Sequence, residues 1–267
     1  MEKIQIAPVK NDLGCFIDLN LSKTNEEKIN YIKNILNEFG VVFFKNQNLD
    51  PKSFVKLAKN WGELADYPML KGHPEYPEIT VVERKLKDTG SNFGGEFFHT
   101  DSSYTINPPR FTFLMGVEVP KKGLGNTLFA NQYLAYKKLP EKIKEKIKKM
   151  KGIFSSAGPI SVTRLEREKE SGTGKAKDFI AEHNLIKKIG NKSAIYCSPG
   201  HVVSLKNCIK DEIDSLKNFI FKHQTRKDFI FAYEWEKGDV VLWDNRSIIH
   251  KASAFNGNRK MYRITVL

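Results

Sequence analysis

Cysteine is scarce in this sequence: Cys15, Cys197 and Cys208 are the only three in 267 positions, and none belongs to a Cys-x-x-Cys pair. An odd count without metal-ligand spacing excludes a disulfide-stapled scaffold or a zinc framework and fits free thiols in a reducing compartment. No run of 18 or more apolar residues occurs, so no segment reads as a membrane-spanning helix. The opening Met1-Glu2-Lys3-Ile4 lacks the basic region and apolar stretch of a secretory leader. The expectation is a cytoplasmic protein without a membrane partner. Acidic residues are also in deficit, 31 against 44 Lys and Arg, for a net charge of +13. A surplus of that size raises the question of a polyanion partner. However, much of the lysine lies in stretches such as Glu141-Lys142-Ile143-Lys144-Glu145-Lys146, where it alternates with Glu as on a solvated helix face. Nucleic acid is therefore not expected, and the basic surface suits a small anionic substrate.

The chain is long enough, and at 40% apolar rich enough, to bury a sizeable core. Thr24-Asn25-Glu26-Glu27 reads as a capping box, followed by Ile29, Ile32, Leu36 and Phe39 at helical spacing and a stop at Gly40. Val41 to Phe44 is a short apolar run suited to a buried strand, and Asp50-Pro51 opens a second helix closed by Gly62. Strand signals then multiply at Ile79–Val82, Phe111–Met115, Ala194–Cys197, Phe229–Tyr233, Val240–Trp243 and Tyr262–Val266, with helices at about 131–150 and 211–222. The charged, aperiodic segment 164–178 reads as a loop. No repeat or linker divides the chain. Residues 1–267 are read as a single domain, mainly β with α+β character, whose sandwich or barrel is buttressed by helices.

His99-Thr100-Asp101 sets an imidazole and a carboxylate two residues apart, on one face of an extended segment. The spacing alone is weak, since His73-Pro74-Glu75 matches it as well. Downstream, Gly238 to His250 reads as a turn and strand delivering a second histidine, with Arg259 and Arg263 beyond. Two His and one carboxylate are the facial triad of non-haem Fe(II) oxygenases, which leaves three metal positions open. Two of these can take a 2-oxo acid and one O2. The far carboxylate of the oxo acid needs a permanent, two-pronged cation, and Arg259 is the candidate.

With these residues in place, the chain resembles the TauD/TfdA family (taurine dioxygenase and 2,4-dichlorophenoxyacetate dioxygenase) of Fe(II)/2-oxoglutarate-dependent oxygenases. The resemblance covers nearly the whole length: Phe39 to Phe44, Trp61-Gly62-Glu63-Leu64, His73-Pro74-Glu75-Tyr76-Pro77, His99 to Tyr104, Pro108-Pro109-Arg110, Gly125 to Asn131, Trp243-Asp244-Asn245-Arg246, His250, Arg259 and Arg263. It implies a double-stranded β-helix (jelly-roll, cupin-like) core and Fe(II) held by His99, Asp101 and His250, which are also the catalytic set. It implies 2-oxoglutarate held by Thr127 and Arg259, O2 as second co-substrate, and substrate contacts at His73, Tyr76 and Arg263. The implied products are succinate, CO2 and a hydroxylated substrate. Two positions depart from the family: Phe98 precedes the first histidine where Trp is common, and Gly95 stands where taurine enzymes carry Asn. Gly95 disfavours taurine.

The expected substrate is a small organic anion: a sulfonate, sulfate ester, phosphonate or carboxylate. Amino-acid or other metabolite hydroxylation is the alternative within the class. A metal-dependent hydrolase and a non-enzymatic polyanion-binding protein are the alternatives outside it. A homo-oligomer, dimer or tetramer, is compatible with the sequence. His183, His201 and His223 lack the triad's context and read as structural, with His201 placed to line the site; Trp243 reads as core that also walls the iron pocket.

Overall fold

A computed structural model of the chain describes residues 4–65, 72–85, 97–161, 178–255 and 257–267. Gly95 and most of the loop expected at 164–178 lie outside the described residues. In chain order the strands are β1 (Gln5–Pro8), β2 (Cys15–Asp18), β3 (Val41–Phe44), β4 (Thr80–Arg84), β5 (Phe111–Glu118), β6 (Thr127–Asn131) and β7 (Lys151–Ser155). They continue with β8 (Ile180–Asn184), β9 (Ile186–Ile189), β10 (Lys192–Ile195), β11 (Val202–Lys206), β12 (Ile230–Tyr233), β13 (Val240–Asp244), β14 (Ile248–Ala252) and β15 (Arg259–Val266). The helices are α1 (Glu26–Phe39), α2 (Pro51–Lys59), α3 (Gln132–Lys137), α4 (Glu141–Ile147) and α5 (Ile213–Gln224).

A seven-stranded sheet in the order β1-β2-β3-β13-β5-β15-β4 faces a three-stranded sheet in the order β12-β6-β14. This is the jelly-roll arrangement expected from the resemblance. The central strands of the large sheet are apolar throughout because both of their faces are covered. Val42, Phe44, Phe113, Leu242 and Ile264 face α1 and α2, packing on Ile32, Leu36, Phe54 and Trp61. Residues of opposite parity on the same strands, Val41, Phe43, Leu114, Val241, Trp243 and Met261, point between the sheets, against Phe129, Tyr233 and Ile248. Polar residues on that inner face, Thr112, Arg259 and Arg263 among them, are therefore buried in the space between two sheets. A second core under α3, α4 and α5 packs on the sheet β11-β7-β8.

Helix starts and stops follow local chemistry. The cap of α1 is Asn25, whose side chain accepts from the Lys28 N–H, and not Thr24, whose hydroxyl bonds the Leu21 carbonyl. Gly40 ends α1 with φ +79°, a conformation that side chains resist. The segment read as one helix at about 131–150 is two, α3 and α4, because Pro140 between them cannot continue α3 and instead opens α4. No helix among the described residues is long and apolar enough to cross a membrane.

Candidate metal centre and anion site

Strand β14 delivers His250 across from His99, and the two residues exchange both backbone hydrogen bonds at 2.9 Å. The chain turns immediately afterwards: Asp101 opens the turn and Ser102 takes a positive φ of 43°. The carboxylate two residues after His99 lies on the same side as the two rings. Asp101 Oδ1 lies 3.8 Å from His99 Nε2 and 4.0 Å from His250 Nε2. One ligand atom from each of the three lies within 4.8 Å of the others, a spacing that fits one metal ion.

The ring nitrogens support that use. His99 Nδ1 is 2.9 Å from the Phe97 carbonyl, which requires the proton on Nδ1 and leaves the Nε2 lone pair toward Asp101. Burial lowers the pKa of both rings, that of His250 to about 3, so both are neutral ligands at pH 7. Burial opposes ionisation of Asp101, but His250, Arg263, His99 and the Thr112 hydroxyl outweigh it and hold the carboxyl at about 2. Phe129 and Trp243 pack on the His250 ring at centroid distances of 6.2 and 4.6 Å, walling one side.

Arg259 and Thr127 start β15 and β6 and meet at 3.3 Å, Arg259 Nη2 to Thr127 Oγ1. Gly125, at φ +65°, makes the turn into β6; a side chain there would strike Pro120 and crowd the Arg259 stem. Arg259 is 7% exposed, its Nε has no partner among the described residues, and burial alone draws its pKa down to about 10. A guanidinium in that state is a site for an anion. Thr127 points the same way. Its oxygen accepts from both Trp235 Nε1 (2.9 Å) and Arg259, so its own O–H remains to be donated, and no acceptor for it occurs among the described residues. Both groups fit one end of a dicarboxylate.

Arg263, two positions past Met261 on the same face as Arg259, places Nη1 3.2 Å from Asp101 Oδ1. His73 and Tyr76 lie on the segment leading into β4, where Gly72 bridges to Thr80 and Thr80 in turn pairs with Arg263. Their rings pack on one another (5.6 Å), and His73 packs on Tyr262 (5.4 Å), which faces α1 and α2 rather than the space between the sheets.

Sequence reasoning missed several residues around Asp101. Thr112 Oγ1 donates to Asp101 Oδ2 (2.7 Å), and Asn245 joins Thr112 to Trp243. The available signal for Thr112 was a hydroxyl residue inside the otherwise apolar run of β5. His201 is buried beside His99 (ring centroids 6.1 Å) with Nδ1 2.8 Å from Ser103 Oγ; burial and the neighbouring His99 lower its pKa to about 3. His183 and His223 are each tied to a backbone carbonyl, of Thr105 and Ala135.

Compared with known proteins, the chain matches the profile of the "Taurine catabolism dioxygenase TauD, TfdA family" over residues 5–265. It is 25% identical over 266 residues to an alpha-ketoglutarate-dependent sulfonate dioxygenase of Saccharomyces cerevisiae, using 94% of this chain and spanning 63% of that relative's length. It is 30% identical over 224 residues to an alpha-ketoglutarate-dependent sulfate ester dioxygenase of Pseudomonas putida, covering 79% of this chain and 71% of the relative. The fold superposes on a taurine dioxygenase from Burkholderia xenovorans with a TM-score of 0.81 at 25% identity, covering 98% of this chain and 89% of that one.

Proposed function

Because the chain belongs to the TauD/TfdA family of Fe(II)- and 2-oxoglutarate-dependent dioxygenases, we propose that it hydroxylates a C–H bond of a small organic anion. Sulfonates, sulfate esters, phosphonates and carboxylates are the substrate classes. In this reading His99, Asp101 and His250 hold the iron, and Arg259 with Thr127 holds the far carboxylate of 2-oxoglutarate. When bound, iron and oxo acid supply the oxidising chemistry: one oxygen atom of O2 leaves in succinate, alongside CO2, and the other goes to the substrate.

The chain's own residues supply orientation, charge and dryness. Arg259 and Thr127 fix the distal end of the oxo acid, so that its 2-oxo acid end is delivered toward the open side of the His99, Asp101 and His250 face. Trp243 and Phe129 close the opposite side with apolar surface and keep bulk water from it.

The observation that carries the anionic-substrate reading is charge. The two imidazoles are neutral, and among the described residues the buried charges beside the metal face are Arg259, Arg263 and Asp101, the buried Asp239 and Asp244 being paired with Lys45 and Arg246. Adding a ferrous ion leaves the site three charges positive, and dianionic 2-oxoglutarate reduces that to one. Uncompensated buried charge is costly, so a monoanionic substrate completes the site and a cationic one is repelled. Arg263, already beside the metal-facing carboxylate, is the residue assigned to that anion. The names of the sulfonate and sulfate ester relatives agree with this chemistry.

The test is a panel of sulfonates, sulfate esters, phosphonates, carboxylates, free amino acids and neutral or cationic amines, assayed for succinate release above the substrate-free rate. Stimulation confined to monoanions supports the reading, and the best turnover on amines or neutral compounds defeats it. Turnover that proceeds without 2-oxoglutarate would instead mark a hydrolase.

A further inference from the structure

A line of three buried side chains runs into the Asp101 oxygen that does not face the histidines. Trp243 Nε1 donates to Asn245 Oδ1 (3.0 Å), Asn245 Nδ2 to Thr112 Oγ1 (2.8 Å), and Thr112 Oγ1 to Asp101 Oδ2 (2.7 Å). The backbone N–H of Asp101 also points at Asn245 Oδ1, at 3.4 Å. Each of these residues is at most 2% exposed, so water is not an alternative partner. Trp243 and Thr112 sit directly opposite one another on the paired strands β13 and β5, which fixes the span that Asn245 bridges.

The direction of this line is set at its far end. An indole N–H can only donate, so it claims the oxygen of the Asn245 amide. The amide nitrogen must then face Thr112 and donate to it. A hydroxyl that accepts there has its single hydrogen left for Asp101 Oδ2. One donor-only group thus dictates the amide's orientation, the hydroxyl's rotamer and the role of each carboxylate oxygen. Oδ2 is occupied, and Oδ1 alone faces His99, His250 and Arg263.

We infer that Trp243, Asn245 and Thr112 are positioning residues that restrict Asp101 to binding the metal through Oδ1 only. The inference rests on the reading that His99, Asp101 and His250 hold the iron. Its consequence is open coordination space. A carboxylate free to swing could bind through both oxygens and fill one of the three positions that 2-oxoglutarate and O2 require. Withholding Oδ2 keeps all three available.

The experiment measures Fe(II) binding under anaerobic conditions by calorimetry, together with the visible absorption that appears when 2-oxoglutarate joins the metal. It compares wild type, Thr112→Val, Thr112→Ser, Trp243→Phe and His99→Ala, with thermal melts to confirm folding. Thr112→Val, which keeps the shape and removes the hydroxyl, is expected to weaken Fe(II) binding by about 10–100-fold and to shift or diminish the 2-oxoglutarate band. Thr112→Ser restores the hydroxyl and should restore both readouts. Trp243→Phe, which keeps an aromatic ring but loses the N–H, should move both in the direction of Thr112→Val and serves if that variant does not fold. His99→Ala separates the two readings. If it keeps full iron, the metal assignment itself fails. If it loses iron while a folded Thr112→Val or Trp243→Phe binds iron and 2-oxoglutarate as wild type does, the positioning role is overturned. Loss in Thr112→Ser equal to that in Thr112→Val would also overturn it.

Discussion

His99 and His250 face each other through two reciprocal backbone hydrogen bonds, each N–H to the other's carbonyl at 2.9 Å. The two ring centroids are 4.3 Å apart, a separation held by the reciprocal backbone pair. Such a pair is preorganised, so little ordering opposes binding. Either His99→Ala or His250→Ala leaves one imidazole and a carboxylate, which should abolish stoichiometric Fe(II) binding measured anaerobically while the melting temperature stays near wild type. Full iron loading in both variants would require another site.

Arg259 and Thr127 make a second prediction. The Thr127 oxygen is saturated by Trp235 and Arg259, so the hydroxyl hydrogen and the guanidinium converge on whatever anion binds there. Removing the guanidinium takes away a charge-assisted pair on the order of 1.5–3 kcal/mol, roughly 10- to 100-fold in 2-oxoglutarate affinity. Arg259→Ala should raise the 2-oxoglutarate requirement by about that factor with Fe(II) affinity unchanged. Thr127→Val should do the same to a smaller extent. Unaltered 2-oxoglutarate dependence in Arg259→Ala would mean that another cation anchors the oxo acid.

These groups were legible in the sequence to different degrees, for physical reasons. Strands β3, β13 and β15 announce themselves because both faces are buried and apolar runs are unavoidable. Strand β8, Ile-Ala-Glu-His-Asn, alternates between exposed and buried and carries little β-branched content, so nothing marked it. The His99, Asp101 and His250 set was readable because ligand chemistry restricts residue type. Asp239 lies in the turn read from Gly238 onward, and two of its four partners, Lys45 and Asn46, lie 194 and 193 positions away, which no spacing connects. Thr112 and Asn245 escaped for the same reason, since their roles exist only once β5 and β13 pair. His73 and Tyr76 were readable from a motif, and their rings pack on one another and on Tyr262.

Asp239 anchors the β12–β13 corner. Fully buried, it accepts from Lys45 Nζ (2.7 Å), the Asn46 N–H (3.1 Å), Tyr233 Oη (2.8 Å) and the Glu236 N–H (2.9 Å). Burial, with Asp239 next to it, pushes the Tyr233 phenol pKa well up, so Tyr233 remains a donor at any working pH. Truncating the carboxylate strands a buried phenol and backbone N–H groups. Asp239→Ala should therefore lower unfolding free energy by about 3–5 kcal/mol in a urea titration. Asp239→Asn, which keeps an acceptor, should cost less. A loss under about 1 kcal/mol for Asp239→Ala would show that water replaces the carboxylate at no great penalty.

Arg263 lies 3.2 Å from the oxygen of Asp101 that faces the histidines, so it and a metal ion are two cations beside one acceptor. This gives Arg263→Ala opposite effects on two measurements. With metal alone, deleting a neighbouring positive charge removes repulsion, and Fe(II) or Co(II) should bind as tightly as in wild type or a few-fold tighter. Asp101 stays ionised without Arg263, because the Thr112 hydroxyl still donates to its Oδ2 and a bound metal ion favours the carboxylate. With substrate the sign reverses: the buried charge that selects a monoanion is gone, so coupled succinate release on the best anion should fall by at least tenfold, and discrimination against neutral analogues should shrink. Arg263→Lys keeps the charge but not the planar fork, and should retain the anion preference while weakening binding. A purely structural arginine, needed only to hold Asp101 in place, would instead give weaker metal binding in Arg263→Ala and leave the ratio of anionic to neutral turnover untouched. Calorimetry with the metal alone and the substrate panel with iron and 2-oxoglutarate therefore decide between the two roles.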